Sequence, residues 1–463
     1  MTTGASTGLP AGSQVTILGS ALSGTAAARL AKARGANVFV SEVGEGQEQL
    51  VAAEELRAEG IEVETGGHDI DRILTSDLVV VSPGIKPATE VRRALRRAGV
   101  RAIAEIELAF RELRSRVIGI TGTNGKTTTS AMTGHLLDTA GVSSVTAGNI
   151  GRPLSDVALM DEQPDWVVVE VSSFQLADID TFAPDIGIVL NLSPDHLDRY
   201  RDLDSYYEDK RRLFANASSE SRWVINDDQP AVVELANGAA GERYLFSVAG
   251  EVTPGAYRDK KGVLRLALSD RKAKWLRETE LQLLGSHNVS NALAAGLAAA
   301  LAGCADKKIA EGLASFEPLP HRLQPVADFD DVLWVNDSKS TNVSAAAVAI
   351  ESFERPVILL LGGRHKGESY TKLLPRMENR VRAVITFGEA APQIISEMQD
   401  KIPELQVAGG LESAVRLAAE LAEPGDVVLL SPACSSYDMF PNYEARGRAF
   451  ETNVQKLHAV TGS

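Results

Sequence analysis

The segment Gly119-Ile120-Thr121-Gly122-Thr123-Asn124-Gly125-Lys126-Thr127-Thr128 carries the clearest chemistry in the chain. It is a glycine-rich turn between an apolar strand (Arg116 to Ile120) and a helix expected to begin near Lys126. Small residues let backbone N–H groups close around phosphate oxygens, and the helix N-terminus adds a favourable dipole. Lys126 then reaches the β- and γ-phosphates, and the Thr127 hydroxyl binds Mg2+. Position 120 is Ile, so the spacing is shorter than Gly-x-x-x-x-Gly-Lys. The working unit is Gly122-Thr123-Asn124-Gly125-Lys126-Thr127, with Thr128 behind it. A solvated lysine on an ordinary turn is the competing explanation, and the strand before and the helix after speak against it. The loop is read as a nucleoside triphosphate site.

Other reactive side chains follow apolar runs. Glu170 lies inside Trp166-Val167-Val168-Val169-Glu170-Val171, where a carboxylate is costly unless it is paired or metal-bound. Beside a triphosphate site, a Mg2+ ligand is the favoured role. Asp195, His196 and Asp198 cluster after Ile186 to Asn191, where a metal-nucleotide makes a functional histidine preferable to a structural one. Lys210 stands in a charged helix and reads, on local pattern alone, as part of a solvated face. Asn288 and Asn291 follow Gly285-Ser286-His287 at a helix start, so N-capping and ligand binding are equally open. Arg322 follows a proline-containing linker and suits bidentate capture of a phosphate or carboxylate. Three polar loops, Asn336 to Asn342, Gly362 to Gly367 and Ser431 to Asp438, each follow a strand and are expected to wall one site. Cys434 lacks a Cys/His/Asn arrangement and is not read as a nucleophile.

Apolar β-branched runs alternate with Ala/Leu/Glu/Arg-rich helical stretches along the whole chain, the pattern of parallel α/β domains. The 463 residues suggest about three domains at roughly 150 residues each. The expected division is 1–113 (with 1–14 a Gly/Ser/Thr/Ala-rich tail), 114–319 and 320–463. The segment Glu90 to Arg116 is read as the end of the first block and its linker. A net charge of −15 argues against non-specific nucleic-acid binding. Two cysteines provide no disulfide framework and suit a reducing cytoplasm, and no apolar run approaches the ~20 residues of a membrane span.

Taken in order, these motifs resemble the Mur ligases: Gly122 to Thr127, Glu170 to Leu176, Asp195 to Asp198, Gly285-x-His287-Asn288-x-x-Asn291, Pro320-His321-Arg322 and Asn336 to Asn342. The tail Ser431 to Phe440, with Tyr443-Glu444-x-Arg446-Gly447, resembles the D-glutamate-adding members. The resemblance spans nearly the whole chain. It implies an N-terminal Rossmann-like UDP-binding domain, a central P-loop ATPase-like α/β domain and a C-terminal Rossmann-like domain. It further implies a monomer using ATP, UDP-N-acetylmuramoyl-L-alanine and D-glutamate. By the same resemblance Lys126, Glu170, His196 and Lys210 are catalytic, Thr127, Glu170 and His196 hold Mg2+, and a carbamylated Lys210 holds a second Mg2+. Asn288, Asn291, Arg322 and Asp337 contact the nucleotide. Lys339, Thr341, Lys366, Ser436, Tyr437 and Tyr443 form the D-glutamate pocket, and Asn149 touches the muramoyl group. Ser20, in Gly19 to Gly24, and Gly84, in Ser82-Pro83-Gly84, serve the diphosphate. After the second strand the chain departs from the family pattern: Val40-Ser41-Glu42-Val43-Gly44 has no arginine. Rival readings are another Mur ligase, a folylpolyglutamate synthase, a non-catalytic UDP-sugar-binding regulator or a simple P-loop kinase.

Overall fold

The computed structural model describes residues 9–195 and 199–461. His196 and Asp198 therefore lie outside the described residues. The fold is α/β, built on three sheets.

The first sheet contains β1 (Gln14–Leu18), β2 (Asn37–Glu42), β3 (Glu62–Thr65), β4 (Leu78–Val81) and β5 (Ala102–Ala104), in the order β3-β2-β1-β4-β5. All its pairings are parallel. The second has nine strands. They are β6 (Arg116–Thr121), β7 (Ser144–Gly148), β8 (Trp166–Glu170), β9 (Ile186–Val189) and β10 (Arg222–Asn226), then β11 (Glu242–Ser247), β12 (Gly255–Arg258), β13 (Val263–Ala267) and β14 (Lys272–Arg277). Their order is β14-β13-β12-β11-β10-β9-β6-β8-β7, which puts β6 between β8 and β9. The third sheet contains β15 (Gln324–Phe329), β16 (Val332–Asn336), β17 (Val357–Gly362), β18 (Val381–Phe387), β19 (Leu405–Val407) and β20 (Val427–Leu430), in the order β15-β16-β20-β17-β18-β19.

The central strands are continuous apolar runs because helices cover both of their faces. Leu78–Val81 and Val357–Gly362 are buried at every position. The parallel pattern expected from the sequence is interrupted among the outer strands of two sheets. β12 pairs antiparallel with β13, and β15 antiparallel with β16. The segment Glu90 to Arg116 is more than a linker, since it contains helix Glu90–Ala98, strand β5 and helix Glu105–Phe110.

The described chain forms two compact units, one of residues 9–192, 199–276 and 291–313 and the other of 193–195, 277–290 and 314–461. Within the first unit, one apolar cluster runs from Val15, Ile17 and Leu30 through Ile103, Ile106 and Leu108 to Val117, Val169 and Trp223, so the first two sheets share a core. Glu107, fully buried on helix Glu105–Phe110, accepts hydrogen bonds from the backbone N–H groups of Asp180, Thr181 and Phe182. A buried carboxylate is tolerable only with such partners. In the second unit, separate clusters cover the two faces of the third sheet.

Candidate active site

The loop after β6 closes into helix Lys126–Thr139 at a point where strands flank β6 on both sides, the place at which open α/β sheets hold ligands. Its shape is fixed from the neighbouring strand end. Asn191 Oδ1 accepts from Asn124 N at 2.8 Å, Asn191 Nδ2 donates to Asn124 O at 3.0 Å, and Thr123 N donates to Asn191 O at 2.9 Å. Lys126 Nζ folds back to the carbonyls of Gly122 (3.0 Å) and Thr123 (2.9 Å). Gly125 starts the helix at φ 84°, a left-handed conformation that disfavours any side chain. A Cβ placed there would come within 2.5 Å of Asn291 Oδ1, so Asn291 is packed directly on the loop. Thr128 is buried behind it.

Glu170 ends β8 beside Ile120 of β6 and Gly148 of β7, and it is buried. Asn149 reaches it twice, with Nδ2 to Oε1 at 3.2 Å and N to the Glu170 carbonyl at 2.8 Å. That approach needs glycine at 148, where a Cβ would lie 2.3 Å from the Glu170 carbonyl oxygen. Asn149, expected at the muramoyl group, and Glu170, expected at Mg2+, are thus direct neighbours.

Lys210 overturns its local reading as a solvated residue. On helix Leu203–Arg211 it is 2% exposed, and its Nζ donates to Gly122 O at 2.8 Å while lying 4.5 Å from the centre of the Tyr206 ring. Among the described residues no group of three or more His, Cys, Asp or Glu side chains forms a metal cage. A hydroxyl in the first turn of the helix after β6 (Thr127) and a carboxylate at the end of β8 (Glu170) suit Mg2+, which keeps waters and substrate phosphates among its ligands.

A residue missed in sequence joins this region to the first sheet. Arg199 Nη2 donates to the carbonyls of Pro83 (3.0 Å) and Ile85 (3.3 Å), and its guanidinium lies 3.7 Å above the Phe174 ring. Pro83 precedes Gly84, and both line a cleft of about 420 Å³ with Gly19, Leu22, Ser23 and Asn149. Ser20, expected at the diphosphate, donates both its N–H and its hydroxyl to Glu42 Oε2, at 2.7 and 3.1 Å, and so braces the turn. The same bonds, with Gly44 N donating to Oε1 at 2.7 Å, occupy Glu42.

In the second unit the three polar loops follow β16, β20 and β17, which are adjacent parallel strands, so the topology gathers them at one sheet edge. Arg446, fully buried on helix Tyr443–Thr461, holds two of them together. Its Nε donates to Ser338 Oγ at 3.0 Å and Nη2 to Ser338 O at 2.8 Å, while Nη1 donates to the carbonyls of Cys434 (3.1 Å) and Ser435 (3.3 Å). Burial pulls its guanidinium down to about 10. Lys366 Nζ lies 3.4 Å from Thr341 Oγ1, and Lys339 Nζ is 4.9 Å from the centre of the Tyr443 ring. Ser436 is buried, whereas Tyr437 is 65% exposed.

Asp337 accepts from Ser431 Oγ at 2.8 Å and from Leu323 N at 3.2 Å. Burial nevertheless pushes its carboxyl up to about 7, against the pull of these bonds and of Arg322. Asp195, whose backbone precedes the undescribed His196, accepts from Asn342 Nδ2 at 2.9 Å. Helix Ser286–Leu301 begins ahead of both Asn288 and Asn291, which removes the capping explanation for either. Asn288 Nδ2 donates back to Leu284 O at 2.7 Å. Next to it His287 is pushed down to about 4 by burial and by Arg322. Cys434 meets Tyr370 OH at 2.9 Å and is pushed up to about 11 by burial, which makes it inert at neutral pH.

No helix among the described residues is long and apolar enough to cross a membrane. Three family descriptions match the chain: the MurD-like N-terminal domain of Mur ligases over residues 13–104, the Mur ligase middle domain over 120–299, and the Mur ligase glutamate ligase domain over 321–434. The chain is 42% identical to a UDP-N-acetylmuramoylalanine--D-glutamate ligase of Salinibacter ruber, covering 96% of this chain and 98% of the relative. It is 41% identical to a protein of the same name from Acidobacterium capsulatum, covering 96% of each. Among solved structures, a pseudomurein peptide ligase type C from Methanothermus fervidus aligns with a TM-score of 0.60 at 20% identity, covering 96% of this chain and 100% of that one. A UDP-N-acetylmuramate-alanine ligase from Thermotoga maritima aligns with a TM-score of 0.60 at 19% identity, covering 96% and 99%. At those identities the structures speak for the fold, whereas the curated relatives speak for descent. The chain belongs to the Mur ligase family.

Proposed function

We propose that this chain joins D-glutamate to UDP-N-acetylmuramoyl-L-alanine with cleavage of ATP to ADP and phosphate, a cytoplasmic step of peptidoglycan precursor synthesis. The observation that carries the reading is the 42% identity over 96% of the chain to a relative of that name. The braced phosphate loop supports it. The substrate's alanine carboxylate attacks the γ-phosphorus of ATP, the bond to the ADP oxygen breaks, and an acyl phosphate forms. The D-glutamate amine then attacks the acyl carbon, a proton is lost and phosphate leaves.

Lys126, now folded onto Gly122 and Thr123, is the cation that follows the γ-phosphoryl group and stabilises its charge in transit. Thr127 and Glu170, with His196, are the residues proposed to hold Mg2+, and Lys210 as a carbamate to hold a second ion. Bound Mg2+ supplies charge neutralisation on the phosphate oxygens. Asn288, Asn291, Arg322 and Asp337 are assigned to the nucleotide. Lys339, Thr341, Lys366, Ser436, Tyr437 and Tyr443 are assigned to D-glutamate, and Asn149 and Gly84 to the UDP-sugar. The three-domain division at 113/114 and 319/320 and a monomeric state complete the reading.

Phosphate release measured with UDP-N-acetylmuramoyl-L-alanine and a panel of D- and L-amino acids tests it. Release is expected with D-glutamate and to vanish in Lys126→Ala. Release with a different amino acid, or activity retained in that variant, sinks the assignment.

A further inference from the structure

The cleft that Gly84 and Asn149 line is also lined by Glu42, Val43 and His68. Two large apolar side chains on its walls, Leu22 and Val43, are 74% and 64% exposed. Glu42 already accepts three hydrogen bonds from Ser20 and Gly44, no arginine follows β2, and His68 lines the same cleft. Ser41, the residue before Glu42, donates its single hydroxyl proton to Glu64 Oε1, an atom that also accepts from Asp69 N at 3.0 Å. The Ser41 hydroxyl is also 2.6 Å from His68 Nδ1. With its proton spent on Glu64, Ser41 Oγ can only accept from that ring nitrogen. Nδ1 therefore carries the hydrogen, and in a neutral imidazole Nε2 is left as a lone-pair acceptor. Burial holds the imidazole below its usual range, against the opposing charges of Glu64 and Glu42, so the neutral form prevails at neutral pH.

We propose that His68, with its tautomer set by the Ser41–Glu64 relay, reads the nucleobase of the substrate by accepting the N3–H of uracil at Nε2. The inference rests on the proposed UDP-linked substrate and assigns the base-reading residue in this chain. Uracil presents a donor at N3 and cytosine an acceptor, so a fixed acceptor in the protein pairs with the first and repels the second. A cleft of about 420 Å³, with Leu22 and Val43 in its lining, is large enough for a nucleoside.

Titration calorimetry of the intact protein with UDP, CDP and N3-methyl-UDP tests this without reliance on turnover. The wild type is expected to bind UDP at least about tenfold more tightly than either analogue, because each removes the donor. His68→Leu is expected to bind all three with the weaker affinity, and Ser41→Ala, which releases the tautomer, to narrow the gap. Equal binding of UDP and N3-methyl-UDP by the wild type overturns the assignment, as does discrimination retained in His68→Leu. The wild-type arm stands even if a variant misfolds. Ligation of D-glutamate is scored separately. Ligation without base discrimination removes only the His68 assignment, and discrimination without ligation removes only the proposed function.

Discussion

Lys210 Nζ donates to the carbonyl of Gly122, the first residue of the phosphate loop, from a position 88 residues further along the chain. A buried lysine is expensive unless its charge is satisfied, and this one is shared between a carbonyl and the face of Tyr206. A carbamate on the same nitrogen keeps one N–H for Gly122 and replaces the cation with an anion. Lys210→Met is therefore expected to lower ATP turnover by about 100-fold, as loss of a buried group supporting a metal-nucleotide site does. Bicarbonate-depleted buffer is expected to lower wild-type turnover, with recovery on adding bicarbonate. Turnover indifferent to bicarbonate would leave Lys210 as a brace for the loop and nothing more.

Gly125 has two independent reasons to be glycine, a left-handed backbone and the 2.5 Å approach of Asn291 to any added Cβ. The conformational term alone is roughly 1–2 kcal/mol. Gly125→Ala is expected to weaken ATP binding at least about tenfold, measured with a fluorescent ATP analogue. In a double-mutant cycle with Asn291→Ala, the loss in the double variant should be smaller than the sum of the two single losses. Additive losses would mean that the Asn291 contact contributes nothing to the Gly125 defect.

Arg446 spans the loops after β16 and β20 with a guanidinium fork that lysine cannot reproduce. Arg446→Lys is expected to raise the KM for D-glutamate about tenfold or more while moving the KM for ATP by less, since the loops it ties carry the proposed amino-acid pocket. Steady-state kinetics with each substrate varied in turn measure the split. Equal changes in both constants would point to general destabilisation.

Asp337 binds a proton more tightly in the folded chain, at about 7, than an unfolded aspartate does near 3.9. Between those values the native state holds more protons than the unfolded state, so stability from this group falls as pH rises and levels off above about 7. Glu105, also pushed to about 7 by burial, adds a slope of the same sign, so the comparison must isolate one residue. Asp337→Asn is expected to flatten the decline of melting temperature between pH 5 and 7 relative to wild type. Parallel curves would show that Asp337 is ionised throughout that range. In the opposite direction His287, pushed down to about 4, makes the fold less stable as pH falls below about 6.5.

What could be read in the sequence follows burial. Strands such as Leu78–Val81 and Val427–Leu430 are covered on both faces and appear as unbroken apolar runs. β3 leaves no such mark because Glu62–Thr65 is half-exposed, nor does β5, which is three residues long. The strands from β11 to β14 are mixed in polarity and β12 pairs antiparallel with β13, so they lack the rhythm of the βα repeat. The phosphate loop and the polar loops after β16, β17 and β20 were legible because glycine and polar residues interrupt apolar runs there. Arg199, Arg446 and the burial of Lys210 were not. Each acts on carbonyls remote in sequence, and nothing in a charged residue's immediate neighbours tells which distant backbone it will meet.

The apolar cluster shared by the first two sheets makes residues around β1 and residues around β6 members of one cooperative body. A ligand that binds only the folded form stabilises every part of such a body by the same free energy. Filling the cleft at Gly84 therefore suppresses any opening at the loop of Lys126 that proceeds through loss of that shared core, although neither has to move. Communication between the sugar-nucleotide and the phosphate loop needs no relay of side chains; it follows from their having a single interior to lose.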